Sequence, residues 1–208
     1  NGGAGDDTIT LGVAFASGTI FGGTGVDQLH TNGALGGVTI SGVEILNTNG
    51  LAVSGTAAQF EAFDTIRRSA AQSNAAVSLT LSAAGSVNLI DELLGRAVAM
   101  TGSSGNDTIA TSNGADSIDA GAGNDDINSG SGDDFVQGGL GDDNLAGADG
   151  NDTLRGGAGT GLIGTPGGIS PARVAPCCAA SRSRRCSDVM TSSSPSSARM
   201  NCWRSSSA

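Results

Sequence analysis

From residue 102 the chain divides without gaps into seven nine-residue units: GSSGNDTIA, TSNGADSID, AGAGNDDIN, SGSGDDFVQ, GGLGDDNLA, GADGNDTLR and GGAGTGLIG. A short, strict period restricts the fold to repeat architectures, because every unit must make the contacts its neighbours make. The fourth position is Gly in each unit (Gly105, Gly114, Gly123, Gly132, Gly141, Gly150 and Gly159). The sixth is Asp in six: Asp107, Asp116, Asp125, Asp134, Asp143 and Asp152. The eighth is always aliphatic, running Ile109, Ile118, Ile127, Val136, Leu145, Leu154 and Ile163.

Each position has a physical role. A chain that reverses within six residues needs backbone freedom at positive φ, which glycine has without steric penalty. The remaining three residues suit a short strand whose single aliphatic side chain points inward. One buried aliphatic gains only about 1.5–3 kcal/mol, less than the ordering entropy of nine residues at about 1–2 kcal/mol each. Stacked units also bring their aspartates together as a column of like charge. The pattern therefore requires a cation among the carboxylates. Carboxylates and turn carbonyls without His or Cys select calcium over zinc or copper.

These units resemble the RTX (repeats-in-toxin) calcium-binding nonapeptide G-G-x-G-x-D-x-U-x of the secreted bacterial hemolysin-type family. The resemblance implies an all-β fold, a right-handed parallel β-roll in which two nonapeptides make one coil. It implies calcium sites shared by units two apart: Asp107 with Asp125, Asp116 with Asp134, Asp125 with Asp143, and Asp134 with Asp152. Turn backbone from Gly105, Gly114, Gly123, Gly132, Gly141 and Gly150 would complete them. Departures fall at Thr111, Ala120 and Ser129 in the first position, and at Ser103, Ser112 and Ala148 in the second, where strain or weaker binding is expected. Gly161 replaces the aspartate of the seventh unit, so the site beside Asp143 is expected to be impaired.

Residues 1–30 open with the same motif, Gly2-Gly3-Ala4-Gly5-Asp6-Asp7-Thr8-Ile9, and return to it at Gly22-Gly23-Thr24-Gly25-Val26-Asp27-Gln28-Leu29. They read as the end of an earlier roll, with Asp7 and Asp27 as weaker candidate ligands. Across 31–101 the nonapeptide disappears while short β-type runs recur near 38, 43, 51, 77, 87 and 97, the pattern of a metal-free β-solenoid. Residues 57–68 read as a short helix or a coil bulge with Phe60 and Phe63 inward, and LIDELLG near 89 as another helical turn. Glu44, outside any turn motif, reads as solvated, as does His30.

Charge divides as the motifs do. Residues 102–164 carry eleven Asp and one Arg, whereas 165–208 carry one Asp and six Arg, within a formal total of −10. That total excludes nucleic acid and anionic membranes as partners, which need a basic face. No run approaches the roughly 20 apolar residues of a membrane span. All four Cys (Cys177, Cys178, Cys186 and Cys202) and all four Pro lie beyond residue 164. The segment 165–208 reads as a disordered basic tail or the product of a shifted reading frame, outside the roll. An Asn at position 1 reads as a fragment or processed piece.

Because every unit bears the same aspartate, no carboxylate pair is singled out for acid–base catalysis, and no catalytic residue is assigned. The expected function is a non-catalytic calcium-binding module of a secreted, extracellular protein, monomeric or part of a longer chain, which folds on meeting calcium outside the cell. Family resemblance implies export by type I secretion machinery. The alternatives are an adhesin or surface-layer repeat, or part of an extracellular β-helix enzyme that modifies polysaccharides.

Overall fold

The computed structural model describes residues 1–12, 17–31, 33–68, 75–159, 161–164, 172–173, 188–191 and 199–202. It is a parallel β-solenoid. In the repeat block each unit's last three residues form the expected strand, as at Thr108–Ala110, Ser117–Asp119 and Asp126–Asn128. Strands of alternate units pair parallel, Thr108 with Asp126 and Asp126 with Asn144 on one side, Ser117 with Phe135 and Phe135 with Thr153 on the other. Each strand thus meets its counterpart two units along the chain, and two nonapeptides make one coil. The eighth-position aliphatics face inward and are at most 4% exposed.

The same two sheets continue towards the N-terminus through non-repeat sequence. One runs from Thr153–Ala158 back through Val98–Thr101 and Val77–Leu81 to Val53–Gly55, and the other from Leu162–Gly164 back to Ser86–Asn88. A further parallel sheet joins Thr8–Thr10, Gln28–Thr31, Ile45–Thr48 and Thr65–Arg68. Its inward file of Leu29, Leu46 and Ile66 is in register and fully buried.

Two sequence readings are refined. The segment 57–68 is a one-turn helix, Ala57–Phe60, followed by the strand Thr65–Arg68. Thr56 caps that turn, its hydroxyl accepting from the Gln59 N–H while the Gln59 side chain accepts from the Thr56 N–H. Phe60 and Phe63 are buried as expected. LIDELLG is not helical: residues 90–95 form turns in which Leu94 (φ 52°) and Gly95 (φ 74°) take left-handed conformations. Three short tail segments are described, as strands Ala172–Arg173, Asp188–Thr191 and Arg199–Cys202, which run antiparallel onto the last coil and onto each other. The rest of 165–208, on which the disordered or frame-shifted reading falls, lies outside the described residues. Among the described residues no helix is long and apolar enough to cross a membrane.

Candidate metal centre

The turns between strands position the aspartates. Gly123, Gly132, Gly141 and Gly150 sit at φ between 128° and 147°, and a Cβ on Gly141 would run into the Gly123 carbonyl of the coil before it. Only glycine therefore allows successive turns to stack this closely. Ala148 holds a left-handed φ of 57° where the repeat favours glycine, which places strain in that turn.

Stacking arranges the six repeat aspartates in two files, Asp107–Asp125–Asp143 and Asp116–Asp134–Asp152, each residue no more than 2% exposed. Within each file one carboxylate oxygen is already engaged. Asp125 Oδ1 accepts the Asp107 N–H at 2.8 Å and Asp134 Oδ1 that of Asp116 at 2.8 Å. Asp143 and Asp152 do the same for Asp125 and Asp134 at 3.1 Å. The four aspartate pairs expected to share sites are thus brought together, and a backbone N–H partly offsets the like charge that the sequence pattern implied.

The second oxygen has a different fate. Oδ2 of Asp116, Asp125, Asp134 and Asp143 is buried without a hydrogen bond. Burial pushes Asp116, Asp143 and Asp152 up to about 6; the Thr111 hydroxyl and then the Val98 N–H pull Asp116 down, backbone N–H bonds do so for Asp143 and Asp152, and neighbouring aspartates push all three further up. Asp125 and Asp134 are raised too, again chiefly by burial. A desolvated carboxylate with a bare oxygen is a costly group that a bound cation would satisfy. A Cβ built on Gly138 would meet both Asp143 Oδ2 and, at 2.8 Å, the Gly156 carbonyl, so carboxylate and carbonyl oxygens flank one space. These hard donors suit calcium. Among the described residues no group of three or more His, Cys, Asp or Glu side chains converges on a common point, so main-chain carbonyls must supply much of any coordination shell.

Asp107 differs from its file. The Ser103 N–H donates to its Oδ2 at 2.7 Å and the Gly85 N–H to its Oδ1 at 2.9 Å, so main-chain donors satisfy both oxygens, and the Ser103 hydroxyl adds a bond to Oδ1 at 3.3 Å. At the other end Gly161 packs against the Asp143 backbone and brings no carboxylate.

Sequence reasoning missed a second set of side chains. At the fifth position Asn106 Oδ1 accepts the Asn124 N–H, Asn124 Oδ1 that of Asp142, and Asp133 Oδ1 that of Asn151, each at 2.9 Å. These bonds run opposite to the aspartate ladder: position five reaches forward to the next coil and position six back to the previous one. The signal was present as Asx in five of the seven units, with Ala115 and Thr160 as the exceptions.

Both ladders recur at the N-terminus. Asp6 Oδ1 accepts the Val26 N–H at 2.9 Å, and Asp27 Oδ1 that of Asp7 at 2.8 Å. Glu44 is half-buried rather than solvated, and its Oε2 accepts the Asp27 N–H at 2.8 Å. His30 is half-buried on the strand Gln28–Thr31.

Residues 1–13, 101–136 and 129–163 match the RTX calcium-binding nonapeptide repeat, with 4 copies. No curated protein and no solved structure matches the chain.

Proposed function

We propose, for a chain that carries RTX calcium-binding repeats, that the module is non-catalytic, is exported, and completes its folding when calcium reaches the turns outside the cell. Calcium binding is the property of these repeats. Two buried files of carboxylates, in which Asp116, Asp125, Asp134 and Asp143 each have one oxygen held by backbone and the other bare, support the coupling of folding to the ion. Without calcium, closing each coil buries charge that water would otherwise solvate. With calcium, Asp116, Asp125, Asp134, Asp143 and Asp152 and the adjacent turn carbonyls would hold the ion, which supplies the missing positive charge. Binding free energy then becomes folding free energy, passed from coil to coil as in other one-dimensional repeats. A chain kept expanded at low calcium also suits passage through a type I channel. Role and route together make the module a folding nucleus and spacer for a larger secreted protein.

Calcium titration of the full chain followed by far-ultraviolet circular dichroism tests this. A rise in β signal with a midpoint at about 10⁻⁴–10⁻³ M is expected, the range of extracellular calcium modules, with magnesium a poor substitute. Equal β content with and without calcium would defeat the proposal.

A further inference from the structure

We propose that the N-terminal turns hold a calcium site of their own, closed by Glu44 instead of a repeat aspartate. The inference rests on the calcium reading of the repeats and extends it from Asp7, within the matched residues 1–13, to Asp27 and Glu44, which lie outside them. Its central observation is Asp27, which is fully buried and whose Oδ2 has no hydrogen bond. Oδ2 of Asp7 is likewise buried and without a partner. A Cβ on Gly22 would meet both Asp27 Oδ2 and the Gly42 carbonyl, and one on Gly2 would meet Asp7 Oδ2 and the Gly22 carbonyl. The repeat block shows the same pairing of oxygens at Gly138, between Asp143 and Gly156.

The chain beyond Asp27 does not continue as a nonapeptide. Gln28 pairs with Ile45, whereas Thr8 pairs with the more distant Gln28, so the third coil is shorter and its turn reduces to Gly42-Val43-Glu44. The extra methylene of glutamate bridges the missing turn. Its Oε2 takes the Asp27 N–H at 2.8 Å, the bond a repeat aspartate makes to the coil before it. Asp7, Asp27 and Glu44 therefore form a third carboxylate file, with the Gly22 and Gly42 carbonyls beside it. Oxygen donors of this kind select calcium.

Hydrogen–deuterium exchange on the full chain, in chelator and across a calcium titration, separates the regions. Peptides spanning 20–48 should gain protection with calcium. E44Q keeps an oxygen for the Asp27 N–H but loses the charge, and should raise the calcium midpoint of those peptides by about tenfold while leaving 102–164 unchanged. Exchange over 20–48 that ignores calcium while 102–164 responds would overturn this site and leave the repeat reading intact. An unchanged midpoint in E44Q would overturn the role of Glu44, and a calcium response in neither region would overturn both readings. If E44Q also loosens 20–48 in chelator, calorimetric stoichiometry decides: one calcium fewer than the native chain, with D27N agreeing, supports the site, and an equal count overturns it.

Discussion

The repeat block and the segment before it build one solenoid by different means. In 102–164 each coil takes two nonapeptides, and each nonapeptide contributes one inward aliphatic. Across 31–101 the strand partners Ile45 and Thr65, Val53 and Leu79, and Val77 and Val98 are separated by three different lengths of chain. There the interior is filled by Phe60, Phe63, Leu35, Leu89, Leu93 and Met100, all fully buried. Apolar filling is non-directional and accommodates coils of unequal length. Within the repeat block a file of aspartates does not, because each Oδ1 must meet one N–H at 2.8–3.1 Å, and where a coil shortens at the N-terminus the longer Glu44 stands in for aspartate. Strict period is thus the mark of the polar ladder, and drift the mark of the hydrophobic core.

That contrast can be broken first at Phe60. Phe60→Ala should destabilise the middle segment by about 3–5 kcal/mol through lost burial and a cavity, equally with calcium and in chelator. Denaturant melts in both conditions check this, and a calcium-dependent loss would show that the segment holds metal beyond the turn at Glu44. Next, Asp125→Ala and Asp134→Ala each remove a ligand from two shared pairs and strand a buried N–H, at about 1–3 kcal/mol for the N–H alone. Both should weaken calcium-induced folding more than Asp152→Ala, which ends its file, as calcium midpoints of the three variants would reveal.

Acidity offers a milder probe. Asp116, Asp143 and Asp152 lie near 6 in the folded, metal-free chain against an ordinary 3.8. Between those values the folded state holds protons that the unfolded state does not. The metal-free roll should therefore gain stability as pH falls through 6 towards 4, with no further gain below, while calcium affinity declines over the same window. Circular dichroism in chelator at pH 7.5 and 5, beside calcium midpoints at both, reads the two trends; a metal-free roll that weakens on acidification would contradict the burial argument. The smallest effect expected is at Ala148. Ala148→Gly should stabilise the sixth unit by about 1 kcal/mol by relieving its positive φ, seen as a lower calcium midpoint.

Where sequence reasoning succeeded and failed follows the same division. Strand position and inward aliphatics in the repeats were legible because seven units of nine residues expose them, coil length came from the family resemblance, and Phe60 and Phe63 stood out by size. The strand Thr65–Arg68 was hidden because TIRR offers one apolar residue. Arg68 there donates to the Ala76 and Gly50 carbonyls, a pair of bonds no periodicity encodes. Glu44 was missed because its place depends on a coil shorter than its neighbours, a fact of register and not of motif.

The opposed ladders at positions five and six give every repeat coil two unlike ends that fit one another, one offering the position-five oxygen and position-six N–H, the other their complements. Lengthening or shortening the block by a whole coil restores both joints, so chains of different reach are available without redesigning any contact. Excising a single nonapeptide would instead exchange the two sheets for every later unit, and would set the file ending at Asp143 beneath turns built for the file ending at Asp152.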